Sequence, residues 1–415
     1  MSSYPVYISG ISSVPVSSGN IYYVIGDSEI DSDATSATAG AITYHSAGTL
    51  SKLTANVYVN TATAGPCTVK SYIAGSLGNQ LLSFAAGITG FITDGADTDS
   101  ISSGNTVELD VDNSDSTGTA TFSSIMYLFT GSTNTVKRIA SGNNELALSS
   151  ASITRYIPAF GTNIASTTEL YTETMLFVNG TLSNSSVVVD VNGRSHASTV
   201  VSRIGTGSGQ STGNASISIT ASTTGTFSDT TDSDTLANTG TTINWMVTTG
   251  TGSGTTDISS VSAEVITTDG TSVAGSCIGT QTGFPSTGKY IPFAGGTADN
   301  FSTESNCQVK AAATYVVSNA SINITSNAGT TASTLQFRLN GANANNAASI
   351  TASTTGFYTD ASDTDSLTST SLIDYELIRA ASGTVDFVSI SAKLSQPAGA
   401  PGMAHIPDAF MFGQL

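Results

Sequence analysis

The chain matches itself three times, and the period is too long for a solenoid. Thr89-Gly-Phe-Ile-Thr-Asp94 is answered by Thr224-Gly-Thr-Phe-Ser-Asp229 and Thr355-Gly-Phe-Tyr-Thr-Asp360, so Gly90, Gly225 and Gly356 stand 135 and 131 residues apart. Arg155-Tyr-Ile-Pro-Ala-Phe-Gly161 returns 134 residues later as Lys289-Tyr-Ile-Pro-Phe-Ala-Gly295, with Tyr22-Tyr-Val-Ile-Gly26 as a degenerate first copy. An alternating strand recurs as Val107-Glu-Leu-Asp-Val111, Ile243-Asn-Trp-Met-Val247 and Tyr375-Glu-Leu-Ile378. A closing strand follows each, at Phe122-Ser-Ser-Ile-Met-Tyr-Leu128, Ile258-Ser-Ser-Val-Ser-Ala-Glu-Val265 and Phe387-Val-Ser-Ile-Ser-Ala-Lys-Leu394. Solenoid units run about 20–50 residues, whereas roughly 100 residues make a complete β-sandwich. Each repeat therefore reads as a domain.

Composition makes those domains all-β. Charged residues are only 10% of the chain, and its 41 Gly stand beside only 9 Pro. The polar remainder is rich in Ser, Thr, Asn and Gly, which are poor helix formers. Period-2 runs such as Leu53-Thr-Ala-Asn-Val-Tyr-Val59 and Thr334-Leu-Gln-Phe-Arg-Leu339 are bounded by turn residues. The expected fold is three tandem antiparallel β-sandwich domains, jelly-roll-like, each of about eight strands. An immunoglobulin-like sandwich is the next choice, but Trp245 is the only Trp and no Cys…Trp…Cys frame exists. The expected division is an N-terminal arm at 1–19, repeats at 20–150, 151–284 and 285–395, and a C-terminal tail at 396–415.

The formal net charge of −18 argues against nucleic acid or an anionic membrane surface as partner. No apolar run approaches the ~18 residues of a membrane span, so no membrane insertion is expected. The first residues carry neither the basic nor the apolar stretch of a secretory signal, although the composition has an extracellular character. A phage virion protein, released by lysis, satisfies both observations. Cys67, Cys277 and Cys307 are too few for a disulfide scaffold; Cys277 and Cys307 flank a repeat boundary and either pair or stay as buried thiols.

With these landmarks in place, a likeness emerges. The series Ala47-Gly-Thr-Leu-Ser-Lys-Leu53, a Thr-Gly-x-Phe/Tyr turn with its Asp/Thr/Ser cluster, and then an alternating strand resembles the jelly-roll modules repeated in phage virion proteins of the fibre, decoration and tail type. It covers all three repeats. The resemblance implies a virion or extracellular location and exposure on the particle.

The one recurring polar constellation is acidic. Asp94, Asp97 and Asp99, Asp229, Asp232 and Asp234, and Asp360, Asp363 and Asp365 share the pattern D-x-x-D-x-D. Such a loop either caps backbone N–H groups or binds Ca²⁺, though the spacing is not that of an EF-hand. No other cofactor is expected. His45, His196 and His405 lie in distant segments, which disfavours a triad or a multi-histidine metal site. Gly205-Thr-Gly-Ser-Gly and Gly250-Thr-Gly-Ser-Gly lack the Lys-Ser/Thr of a phosphate loop and read as turns. Tyr156, Phe160, Tyr290 and Phe293, beside Ile-Pro at matching positions, read as core anchors or interdomain contacts rather than glycan platforms.

In the tail, Ile406-Pro-Asp-Ala-Phe410 echoes a domain start and precedes Met411, Phe412 and Leu415. These residues are expected to serve assembly, docking on a neighbouring subunit's strand edge or folding back on the third domain. The expected function is a non-enzymatic structural virion protein that assembles as a homo-oligomer with other virion proteins. A self-assembling extracellular filament subunit, a glycan-binding adhesin for host attachment and a glycosidase are the alternatives.

Overall fold

The computed structural model describes residues 3–14, 20–23, 41–63, 65–112, 117–131, 136–161, 165–206, 209–267, 270–281, 289–294, 302–379 and 383–397. The first group of strands is β1 Ser3–Val14, β2 Asn20–Tyr23, β3 Ile42–Thr43, β4 Gly48–Asn60, β5 Cys67–Ile73, β6 Ser76–Phe84, β7 Gly90–Thr93, β8 Thr98–Ile101, β9 Thr106–Asp112 and β10 Ala120–Gly131. The second is β11 Val136–Leu148, β12 Thr154–Pro158, β13 Thr174–Leu176, β14 Gly180–Asn192, β15 Ser198–Gly205, β16 Gln210–Ile219, β17 Gly225–Leu236, β18 Thr241–Thr248 and β19 Thr256–Thr267. The third is β20 Ser272–Gln281, β21 Lys289–Pro292, β22 Val309–Lys310, β23 Tyr315–Asn327, β24 Ser333–Leu339, β25 Ala342–Ile350, β26 Gly356–Thr359, β27 Thr364–Leu367, β28 Leu372–Ile378 and β29 Val385–Ser395. Short 3₁₀ turns, Glu169–Thr172 and Glu304–Asn306, precede β13 and β22.

Six antiparallel sheets result, two per group. In the second group they run β11-β19-β14-β17 and β12-β18-β15-β16, with β13 extending β12's pairing on β18. The first and third groups repeat this as β1-β10-β4-β7 with β2-β9-β5-β6, and β20-β29-β23-β26 with β21-β28-β24-β25. Counting eight strand positions per unit, the order is 1-8-3-6 facing 2-7-4-5. That is the jelly roll: four hairpin-related pairs folded over one core, all antiparallel. The fold class expected from the sequence is therefore observed.

Each unit owns an apolar core between its two sheets. In the second, Ile157, Leu182, Val187, Val200, Ile217 and Trp245 meet; in the third, Phe293, Phe337 and Tyr375 pack with ring centroids 5.5–5.7 Å apart. The side chains arrive there because strands such as β16 and β25 alternate buried and exposed positions. Burying each large aliphatic or aromatic side chain contributes about 1.5–3 kcal/mol before chain entropy is subtracted.

Gly90, Gly225 and Gly356 occupy equivalent places. They open β7, β17 and β26 at φ of 97°, 113° and 117°, and pair with Val57, Val189 and Ile324. This φ admits glycine and strains any other residue. A second shared device lies in the partner strands, where Lys52, Asn184 and Asn319 form a bulge at φ of 56°, 50° and 54°.

Two expectations need correction. The segment read as an N-terminal arm contains β1, a full strand paired with β10 from Ser3↔Thr130 to Val14↔Ala120. Likewise β11 pairs with β19 and β20 with β29, so both strands join the sheets of the repeat that follows them. The Tyr-Ile-Pro landmark marks the second strand of a unit, and the strand before it was counted with the wrong neighbour. Residues 398–415, with Ile406, Phe410, Met411, Phe412 and Leu415, lie outside the described residues.

Candidate functional site

The acidic turns are built alike in all three units. Asp94 Oδ1 accepts from the N–H groups of Ala96 and Asp97, both at 3.1 Å, and Oδ2 accepts from Leu81 N–H at 2.9 Å. Asp229 receives Thr231, Asp232 and Ser216 in the same way, and Asp360 receives Ser362, Asp363 and Ala347. Burial alone would push these carboxyls up, but the backbone donors outweigh it and hold all three below the usual carboxylate range. Asp97, Asp232 and Asp363 lend backbone groups to the turn and are exposed.

The last aspartate of each turn is buried and faces the opposite way. Asp99 accepts from Asn79 and Gln80 N–H at 2.6 and 3.3 Å and from Ser71 Oγ; Asp234 repeats this with Asn214, Ala215 and Ser202. Asp365 takes Asn345 and Asn346, both at 2.9 Å. Glycine is required beside the Ser–Asp pair: a Cβ on Gly78 or Gly213 would stand 2.2 Å from the serine Oγ. In the third unit the strand position of the serine holds Phe337 and the glycine position holds Ala344. The carboxylates thus serve backbone donors on separate sides of the turn. Among the described residues, no three His, Cys, Asp or Glu side chains are placed to hold one metal ion.

A different set of contacts, between units, forms a closed cycle. β3 of the first unit lies against β19 and β14 of the second, β13 of the second against β29 and β20 of the third, and β22 of the third against β10 of the first. β3, β13 and β22 are equivalent, since each pairs with the strand at position seven of its own unit. β10, β19 and β29 are equivalent as well. One heterologous contact is therefore used three times and closes, as in a three-fold ring, within a single chain.

One hydrogen bond marks each contact. Ser260 Oγ donates to Ala41 O at 3.2 Å, Ser389 Oγ to Glu173 O at 2.6 Å and Ser124 Oγ to Gln308 O at 3.3 Å. These serines hold one position in their strands, and the acceptors immediately precede β3, β13 and β22. Asn56 Nδ2 reaches Ser305 O and Gln308 O just as Asn323 Nδ2 reaches Leu170 O and Glu173 O. This second face explains why β10 is buried along nearly its whole length: one side covers its own core, the other meets a neighbouring unit.

The segments that supply the carbonyls are clamped onto their own sheets. Arg203 grips Glu169 with Nε–Oε1 at 2.6 Å and Nη2–Oε2 at 3.1 Å, and Arg338 grips Glu304 at 3.0 and 3.1 Å. Such bidentate pairs fix geometry as well as charge. Arg338 also meets Glu376 and lies 5.7 Å from the centroid of the Tyr290 ring. Buried acids lie at the equivalent place in each unit, under the clamps in the second and third. Burial, with Glu169 nearby, pushes Glu173 up to about 7 against the pull of Arg203. Burial and Glu304 push Asp374 to about 8, and burial with Asp110 pushes Glu108 to about 8.

The contact between units one and two has its own polar knot. Glu264 accepts from His45 N–H, Ser46 Oγ and Asn184 Nδ2 at 3.1, 3.0 and 2.6 Å, and His45 Nε2 lies 2.7 Å from Ser186 Oγ. Burial and the Arg138 guanidinium lower His45 to about 4, against Glu264. His196 is exposed and lies outside that knot, its Nδ1 3.1 Å from Ser195 Oγ. Phe160 and Phe293 are fully buried, and Gly275 of β20 sits against the Phe160 ring, so these aromatics include both a core anchor and an interdomain contact. Cys307 is a free buried thiol.

No family model and no curated protein matches the chain. Among solved structures it is similar to that of infectious bursal disease virus, Gx strain, with 10% identity over 95% of this chain and 81% of that one, at a TM-score of 0.22. The VP2 subviral particle of the same virus gives 11% identity, 95% and 80% coverage and a TM-score of 0.21. Likeness this distant carries no assignment.

Proposed function

We propose that the chain is a non-enzymatic structural component of a virion, in which one polypeptide supplies the three-fold unit that three separate jelly rolls would otherwise form. The observation that carries this is the repeated Ser-to-carbonyl contact that closes the ring. Its polar groups are spent on backbone donors and unit contacts, and the buried acids Glu173 and Asp374 lie under clamped segments rather than in an open cleft. The units would run 3–131, 136–267 and 272–395, each beginning with the strand that pairs with its own last strand. The resemblance to phage fibre, decoration and tail modules supports an exposed position on the particle. Association of several rings with one another, or with other virion proteins, would use surfaces outside the unit contacts.

Electron microscopy of the purified chain tests this reading. Compact three-lobed particles, decorating virions when added back to particles that lack the protein, support it. Extended filaments formed by the chain alone would favour the filament subunit. Release of reducing ends from capsular polysaccharide would contradict the non-enzymatic role.

A further inference from the structure

The ring is three-fold in its hydrogen bonds but not in its charges. Where the third unit meets the first, a cleft of about 190 Å³ opens, lined by Lys52, Thr54 and Thr93 on one side and by Lys310, Ser369 and Thr370 on the other. Two of the chain's 12 basic residues face each other across it. The equivalents of Lys52 are Asn184 and Asn319, and those of Lys310 are Met175 and Thr43, so only this contact gathers two ammonium groups.

The lysines are not consumed by the fold. Lys52 Nζ donates to Ala312 O at 3.1 Å, which leaves two of its three protons. Lys310 Nζ has no hydrogen bond or ion pair among the described residues. The backbone is also held in an unfavourable state on both sides of their contact. Lys52 at φ 56° and Ala312 at φ 59° are both left-handed, and at the Lys52 position this conformation suits the Asn184 and Asn319 of the other two units far better. Strain kept at one of three equivalent positions points to a task at that position.

We infer that this cleft binds the carboxylate-bearing end of an acidic sugar. The two ammonium groups suit one oxyanion. Thr54 Oγ1 is engaged by Lys52 O and Thr93 Oγ1, and Thr370 Oγ1 by Thr368 Oγ1, which leaves the Ser369 hydroxyl and the Thr93 hydroxyl proton to meet a sugar hydroxyl. The volume is below the roughly 300–1,000 Å³ of drug-sized sites and suits a single ring. A long polyanion is disfavoured, because the chain's charge of −18 repels it at range. Two acids lie on the turn that follows Thr93. Asp94 is turned toward the N–H groups of Leu81, Ala96 and Asp97, and the Asp97 side chain is exposed. The inference does not depend on a place in a virion.

Saturation-transfer NMR on the full chain, with glucuronate and glucose as probes and inorganic sulfate as competitor, tests it. The expected result is a glucuronate signal that saturates, no glucose signal and little displacement by equimolar sulfate. Lys52→Asn, which installs the residue of the other units, and Lys310→Gln should each weaken binding by about tenfold, the size of one charged hydrogen bond, without lowering the melting temperature, and the double variant should weaken it further. Any of four results would overturn the inference: no glucuronate signal, equal signals from both sugars, full displacement by sulfate, or undiminished binding in the Lys52→Asn, Lys310→Gln double variant.

Discussion

Ser389 Oγ donates a 2.6 Å hydrogen bond to the carbonyl of Glu173, 216 residues earlier in the chain. Its counterparts at Ser124 and Ser260 make the same bond to other units. Replacing any one serine by alanine removes a donor from a carbonyl at a unit contact, leaving Ala41 O without its serine and Gln308 O and Glu173 O with only the longer bonds from Asn56 and Asn323, at about 0.5–1.5 kcal/mol. The three sites share no partner, so the triple variant should lose roughly the sum, about 3 kcal/mol, in urea denaturation.

Gly78 and Gly213 are close to a serine–aspartate pair that leaves no room for a methyl group. Gly78→Ala and Gly213→Ala should each destabilise by about 1–3 kcal/mol through overpacking. Adding Ser71→Ala to Gly78→Ala should restore part of the loss. Ala344→Gly, where Phe337 stands in place of the serine, should change the denaturation midpoint only slightly.

The acidic turns should behave as caps. Asp229→Asn and Asp360→Asn keep the size but lose charge-assisted bonds to three backbone donors, and each should cost about 1–2 kcal/mol. Their folded pKa values are depressed, so their contribution is present above about pH 4 and is lost as pH falls through the folded values. A chelator should leave the melting temperature where it was; a chelator-dependent drop would restore Ca²⁺ to the turns.

Glu173, Asp374 and Glu108 pull in the opposite sense. Their folded pKa values are raised to about 7, 8 and 8. The native state then holds protons that the unfolded chain releases near its unperturbed values of about 4. The stability they contribute is complete below that pH and is lost as pH rises through 7 and 8. The chain should unfold more readily at pH 8.5 than at pH 5.5, and Glu173→Gln with Asp374→Asn should flatten that dependence. An unchanged slope in the double variant would show that these carboxyls are ionised in the folded state.

Much of the fold was legible because it rests on residue type. Gly90, Gly225 and Gly356 repeat since only glycine fits their φ, and the D-x-x-D-x-D turns repeat because aspartate is the residue that accepts neighbouring N–H groups. The ring was not legible. Its bonds run from serine hydroxyls to main-chain carbonyls, and a carbonyl leaves no trace in sequence. Ser124, Ser260 and Ser389 stood in the closing-strand motif, but a polar residue in a period-2 strand reads as facing water, not a neighbouring domain. The starts of the units were misplaced for a related reason. Val136-Lys-Arg-Ile-Ala-Ser-Gly-Asn-Asn-Glu-Leu-Ala-Leu148 has no clean alternation, and nothing local says whether β11 joins the sheet before it or the one after.

The ring's closure is tested most directly by a distance between its first and third units. Thr93 and Ser369 are exposed, 276 residues apart, and line the same cleft. The buried thiols of Cys67, pushed up to about 11 by burial, and Cys307, pushed well above its usual value by burial, should resist labelling in the native state. Spin labels on Thr93→Cys and Ser369→Cys, in a Cys277→Ser background, can then be read by pulsed dipolar spectroscopy. A closed ring predicts one short separation, below about 25 Å, that does not change with protein concentration. Three units of roughly 14 Å radius of gyration strung in a row would instead give a broad distribution well beyond one domain's width, and that result would contradict the ring.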